Sequence, residues 1–151
     1  MIVTNNEFGI STPAATQHGD KVISDRGKAF GIKTKTINGL DPEESWTELE
    51  AAIKYVRNER KPFLLEAKVS RLYGHSSATG ANYITDEVDC LTEFEKNLEA
   101  AGILTRKKMQ EVRDTYNAQM LEMSKQVKNE PMPSGDTIYD HTYFGQKGKY
   151  W

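Results

Sequence analysis

The sequence predicts an α/β fold, and three features predict it. Two short strand-like runs, residues 32–37 and 63–69, flank an amphipathic stretch that opens with a helix start signal. Strand, helix, strand in that order is the pattern of a parallel sheet with a crossover helix. A Gly-, Ser- and Thr-rich segment without period, residues 70–83, follows the second run, in the position where open α/β sheets place their ligand sites. The 151 residues allow one domain, or a domain with a tail. Twenty basic residues against 22 acidic ones give a net charge of -2, without the basic excess of a nucleic-acid binder. No apolar run approaches the roughly 20 residues that span a bilayer, and the opening residues do not read as a signal peptide. Cys90 is the single cysteine, which excludes an internal disulfide and suits a reducing compartment. The expectation is a cytoplasmic chain with neither nucleic acid nor membrane as partner.

Taken in order, Ile2 and Val3 read as the end of a buried strand running into Asn5-Asn6. Residues 7–31 read as loop with a short helical turn. Residues 32–37, Ile-Lys-Thr-Lys-Thr-Ile, alternate with β-branched residues as a strand does. Asn38-Gly39-Leu40-Asp41 supplies turn chemistry, after which Asp41 caps a helix, Pro42 takes its first position, and Glu43 and Glu44 oppose its dipole. Trp46, Leu49, Ile53 and Val56 recur at helical spacing and predict its buried stripe. Pro62 ends it by about Asn58. In the next strand Phe63, Leu65, Ala67 and Val69 point one way, and Leu64, Glu66 and Lys68 the other. Asp86 reads as the cap of a helix carrying Val88, Leu91, Phe94 and Leu98, stopped by Gly102. Thr105 reads as the cap of a second, carrying Met109, Val112, Tyr116, Met120, Met123 and Val127. The organisation expected is therefore an α/β part over residues 1–85, a helical hairpin over 86–130 and an irregular tail over 131–151. That tail holds two prolines, three glycines and five aromatics, too aromatic for a plain linker, and is expected to pack on a neighbouring surface.

The sequence contains no Gly-x-Gly-x-x-Gly, no Walker loop, no Gly-x-Ser-x-Gly elbow and no zinc spacing among His18, His75, His141 and Cys90. Cys90 lies on a helix, where a small buried thiol is the commoner role than a nucleophile. Two constellations remain. Asn5-Asn6-Glu7-Phe8-Gly9 ends a strand; its amide and main-chain oxygens are hard neutral ligands for Mg²⁺ or Ca²⁺, while paired Asn residues also simply make turns. Arg71-Leu72-Tyr73-Gly74-His75-Ser76-Ser77 leaves the other strand. There Gly74 allows close backbone approach, His75 can donate to an anion and Arg71 offers a rigid fork of donors. A loop histidine is more often simply a surface residue.

Together and in order these pieces resemble a family. The matching stretches are Asn5-Asn6-Glu7-Phe8-Gly9-Ile10-Ser11-Thr12-Pro13, Arg26-Gly27, Phe30-Gly31-Ile32, Asn38-Gly39-Leu40-Asp41, Pro62-Phe63-Leu64-Leu65-Glu66-Ala67, Arg71-Leu72-Tyr73-Gly74-His75-Ser76 and Asp86-Glu87-Val88. Over residues 1 to about 130 the chain resembles the C-terminal half of the alpha subunit of the thiamine-diphosphate-dependent 2-oxoacid dehydrogenases, the pyruvate and branched-chain type decarboxylating components. The resemblance implies the C-terminal part of a thiamine-diphosphate-binding parallel-sheet fold. It implies that the Asn6 side chain and the Phe8 carbonyl ligate the Mg²⁺ holding the diphosphate. Ile10, Arg71, His75 and Ser76 would face the cofactor, with His75 at its phosphate end or in the catalytic cleft and Arg71 bracing its loop. Ser76 corresponds to a regulatory phosphorylation site of mitochondrial relatives, where a dianion would repel the diphosphate.

The same resemblance implies a 2-oxo acid as substrate and two protein partners, a beta subunit (or a beta region of the same enzyme) and the lipoyl domain of the acyltransferase component. It also shows departures. The Gly-Asp-Gly half of the cofactor motif is absent, Phe8 stands in place of the usual Tyr, and Asn82-Tyr83-Ile84 stands where relatives carry Tyr-Arg. The expectation is thus a fragment of a longer subunit, with Met1 an artificial start, inactive on its own and prone to self-association through an exposed strand edge. The alternative is a non-catalytic α/β interaction domain that binds a protein through its helical hairpin and aromatic tail.

Overall fold

The computed structural model describes residues 1–19, 22–76 and 86–140. The chain divides into two compact units, Met1–Thr105 and Arg106–Trp151. In the first unit β1 (Ile2–Asn5) leads into a two-residue hairpin, β2 (Phe8–Gly9) and β3 (Thr12–Pro13), and a 3₁₀ turn, Ala14–Thr16. The short helix α1 (Asp25–Lys28), β4 (Lys33–Asn38), α2 (Pro42–Glu59), β5 (Phe63–Lys68) and α3 (Cys90–Ala100) follow. The second unit carries α4 (Arg106–Asn129) and a 3₁₀ turn, Gly135–Tyr139.

β1, β5 and β4 form a parallel sheet in that order, as an α/β fold requires. Asn5 pairs with Lys68, and Lys68 with Asn38, so all three strands finish in one row and their outgoing loops leave from one edge. The core lies between the sheet and α2, where Ile37, Phe63, Leu65, Ala67 and Ala52 are buried with Leu49, Tyr55 and Val69 packed beside them. Tyr55 meets Phe63 edge to face, ring centroids 5.7 Å apart. The start of α2 follows its sequence signal: Asp41 Oδ1 accepts from the Glu43 and Glu44 amides at 2.9 and 3.2 Å, with Pro42 in the first turn. Arg60, left-handed at φ 54°, closes the helix.

Both faces of β5 are buried, Leu64 and Glu66 as fully as Phe63 and Leu65. β5 is the central strand, and the segment around α1 covers its second face. A Cβ on Gly27 would come within 2.7 Å of Thr34 Cγ2 and 3.0 Å of Leu64 Cδ2, so glycine sets how closely this segment approaches. Two expectations are corrected. Of the stripe foreseen for α2, Leu49 packs on the core, but Trp46 is 77% exposed and Ile53 and Val56 are 48% and 41% exposed, because the sheet meets the helix along Leu49, Ala52 and Tyr55. Finally, α3 is capped by Asp89, not Asp86: Asp89 Oδ1 accepts from the Leu91 and Thr92 amides at 3.0 and 3.4 Å. Cys90 therefore opens the helix and is half-buried, not a core thiol. Gly102, at φ +69°, follows the end of α3.

α4 begins directly after Thr105, and of its apolar stripe only Met109 is buried; Val112, Tyr116, Met120, Met123 and Val127 are exposed. No helix among the described residues is long and apolar enough to cross a membrane. Met132 and Ile138, in the described part of the tail, are exposed, and residues 141–151 lie outside the described residues.

Candidate functional site

Because β1 and β5 are neighbours and parallel, the two motifs that follow them emerge side by side. The first is a tight turn built by asparagine side chains. Asn5 Oδ1 accepts from the Glu7 amide at 2.9 Å and Asn6 Oδ1 from the Phe8 amide at 3.1 Å, two consecutive Asx turns. Glu7 and Ile10 take positive φ values of 61° and 58°, an unfavourable conformation for any side chain and most of all for a β-branched one. Strain on both sides of Phe8-Gly9 persists because the surroundings hold it. The Glu7 carbonyl accepts from the Ala14 amide at 2.7 Å, and Gln17 Nε2 donates to the Gly9 and Thr12 carbonyls at 3.3 and 2.8 Å.

The second motif is tied to the first by one side chain. Arg71 Nη1 donates to the Ile10 carbonyl, and Arg71 Nε donates to the Tyr73 carbonyl at 3.1 Å. Its guanidinium carbon lies 5.1 Å from the centre of the Phe8 ring, within cation–π range. Arg71 is half-buried, whereas His75 and Ser76 at the end of this loop are exposed. Asn6, Phe8, Ile10 and Arg71 thus come together, with His75 and Ser76 continuing the same loop. Residues 77–85, which include the second half of the 70–83 segment singled out in the sequence and its Asn82-Tyr83-Ile84, lie outside the described residues.

Beneath this edge sits a buried carboxylate on the strand face opposite Phe63 and Leu65. Glu66 is 0% exposed. Its Oε1 accepts from Asn5 Nδ2 at 2.8 Å, and its Oε2 accepts from the Ser24 amide at 2.8 Å and from Thr36 Oγ1 at 3.4 Å. Ser24 and Thr36 share a further hydroxyl hydrogen bond of 2.9 Å. Burial alone pushes the Glu66 carboxyl up. The Ser24 amide, the Asn5 side chain and the charge of Lys68 outweigh it and hold the pKa below the usual 4.5. Lys68 Nζ itself pairs with Glu7 Oε1 at 3.0 Å. The signal for this network was present in the sequence: a lone carboxylate inside Phe-Leu-Leu-Glu-Ala, a run otherwise suited to burial on both faces.

The donor set suits a hard cation. The Asn6 side-chain oxygen keeps a second lone pair beyond its Asx turn. Pro13, opposite Phe8 in the hairpin, has no N–H and cannot take the Phe8 carbonyl. Two neutral oxygens are a fraction of an octahedron, and among the described residues no three His, Cys, Asp or Glu side chains gather to hold a metal. These residues fit Mg²⁺ only where phosphate, carboxylate or water oxygens supply the rest.

Comparison with known proteins matches residues 1–135 to the family described as "Dehydrogenase E1 component". The chain belongs to that family. Relatives include the pyruvate dehydrogenase E1 component subunit alpha of Rickettsia bellii, 28% identical over 149 residues, which cover 94% of this chain and 46% of the relative. The 2-oxoisovalerate dehydrogenase subunit alpha of Bacillus subtilis is 28% identical over 147 residues, covering 92% of this chain and 44% of that one. The 2-oxoadipate dehydrogenase complex component E1 of Xenopus laevis is 27% identical over 123 residues, 76% of this chain and 13% of its own length. This E1 family chain therefore spans less than half the length of these curated relatives.

Proposed function

We propose that this chain is part of the alpha component of a 2-oxoacid dehydrogenase, and that its strand-end turn is half of the anchor for thiamine diphosphate and Mg²⁺. The observation that carries the reading is Arg71, which joins the Asn5–Ile10 turn to the Tyr73 carbonyl of its own loop across the carboxyl edge of a parallel sheet. Two stretches distant in sequence meet where α/β sheets bind ligands, and one of them offers neutral oxygens suited to Mg²⁺.

In this reading the Asn6 side-chain oxygen and the Phe8 carbonyl are metal ligands. Glu7 and Ile10, in their left-handed conformations, turn the backbone so that both oxygens are presented together. Arg71 holds the Ile10 and Tyr73 carbonyls and so fixes the spacing between turn and loop. His75 donates towards the cofactor's phosphate end or the catalytic cleft, and Ser76 lies at its rim. When bound, the cofactor supplies decarboxylation of a 2-oxo acid, pyruvate or branched-chain, and transfer of the acyl group to a lipoyl arm. A beta subunit and the lipoyl domain of an acyltransferase are the protein partners. The relatives' names, pyruvate dehydrogenase and 2-oxoisovalerate dehydrogenase, support this substrate class.

The test is calorimetric titration of the parent enzyme with Mg²⁺ and thiamine diphosphate. Tight binding is expected in the unmodified protein and none in Asn6→Ala; equal binding by both would favour a non-catalytic interaction domain. The 151-residue chain by itself is expected to bind the pair weakly or not at all, because two neutral ligands do not complete the metal's shell.

A further inference from the structure

The site described so far explains Asn6, Phe8 and Arg71 but leaves a fully buried carboxylate behind them without a role. Glu66 stands on the central strand, two residues before that strand's pairing ends at Lys68, and receives hydrogen bonds from three separate segments. Of these, Asn5 is the one that reaches the functional edge. Its amide uses both ends: Nδ2 donates to Glu66, and Oδ1 accepts from the Glu7 amide inside the turn. Nδ2 also donates to Glu7 Oε1 at 3.2 Å. Two carboxylates, Glu66 the nearer, therefore fix which end of Asn5 faces the turn, and rotating the amide would lose all these bonds at once. Main-chain pairing fixes the same residue from the other side, since the Val69 amide donates to the Asn5 carbonyl at 2.9 Å.

We propose that Glu66 is a positioning residue of the metal anchor: acting through Asn5, its carboxylate holds the Glu7 backbone in the left-handed conformation that presents Asn6 and Phe8 to one cation. This rests on the functional reading above. It gives the buried charge a purpose that packing does not, because a strand this buried would accept an apolar residue at lower desolvation cost. It also follows the general behaviour of groups behind metal ligands, whose loss typically weakens metal affinity about 10- to 100-fold.

The donor pattern provides the test. All three partners of Glu66 donate to it. In Glu66→Gln one donor must face an NH₂ group, and Asn5 loses its fixed orientation. In the double variant Asn5→Asp with Glu66→Gln the bond reverses. The new amide donates to the new carboxylate and still accepts from Ser24 and Thr36, while the carboxylate still accepts from the residue 7 amide. Every variant, and the parent that serves as its reference, carries Glu7→Gln, so that the new carboxylate meets an amide where Asn5 Nδ2 lies 3.2 Å from Glu7 Oε1. The measurement is the apparent Kd for Mg²⁺ at saturating thiamine diphosphate in the parent enzyme, by calorimetry, beside the melting temperature of each variant. Thr36→Val, which disturbs the same carboxylate away from Asn5, serves as the structural control.

Glu66→Gln is expected to raise the Kd for Mg²⁺ about 10- to 100-fold, the double variant to return it to within about threefold of the parent, and Thr36→Val to lower the melting temperature while leaving the Kd unchanged. If Glu66→Gln does not fold, Glu66→Asp, charged but shorter, takes its place with the same expectation. A Glu66 variant that melts earlier yet binds Mg²⁺ as the parent does would overturn the proposal while Asn6→Ala still abolished binding. So would a double variant that regains stability without affinity. Unchanged binding in Asn6→Ala would instead remove the anchor itself, and this proposal with it.

Discussion

Glu66 shows how much one side chain can depend on what surrounds it. A carboxylate on a buried strand is costly unless its oxygens are satisfied, and here an amide N–H, a side-chain amide and a hydroxyl all donate to it. Its pKa lies below the unfolded value of about 4.5, so the native state favours the ionised form. The unfolded chain then binds the proton first as pH falls. The stabilisation is complete above that value, declines as pH drops through it, and is exhausted below the folded pKa. Urea midpoints measured between pH 7 and pH 3 should therefore fall more steeply for the unmodified chain than for Glu66→Gln. Parallel slopes would mean that the group is not held ionised in the folded state.

At the scale of elements, two helices start at an aspartate and only one start was assigned correctly from sequence. Asp41 is followed by Pro42, which cannot sit inside a helix and so marks the boundary. Between Asp86 and Asp89 there is no such marker, and both residues have the chemistry of a cap. The hydrogen bonds choose Asp89. Asp89→Ala should cost about 1 kcal/mol and fray the first turn of α3, whereas Asp86→Ala should leave it intact. Amide exchange at Leu91 and Thr92 separates the two cases, with faster exchange expected only in Asp89→Ala. The stripe of α2 was displaced for a related reason. Helical spacing identifies candidate apolar faces, but the width and edge of the sheet decide which of them is covered.

At the scale of the molecule, the parallel sheet has β1 at one edge, and Ile2 on it is 60% exposed. An unpaired strand edge with apolar side chains is a template for association. The chain by itself should sediment as a multimer, and Ile2→Lys should shift it towards monomer. A monomer at micromolar concentration without that substitution would show that the edge is protected.

Local chemistry determined what could be read without a structure. Asp-Pro starts a helix, β-branched alternation makes a strand, and the ordered motifs from Asn5 to Ser76 indicated a dehydrogenase E1 relationship that the family match over residues 1–135 supports. These signals lie within a few residues of the feature they specify, and so survive in one dimension. Only the tertiary structure decided that β5 is central and buried on both faces, that Arg71 reaches back to Ile10, and that Glu66 grips Asn5. The last two contacts each join residues 61 positions apart, and strand order, which no local pattern encodes, is what brings them within hydrogen-bonding reach.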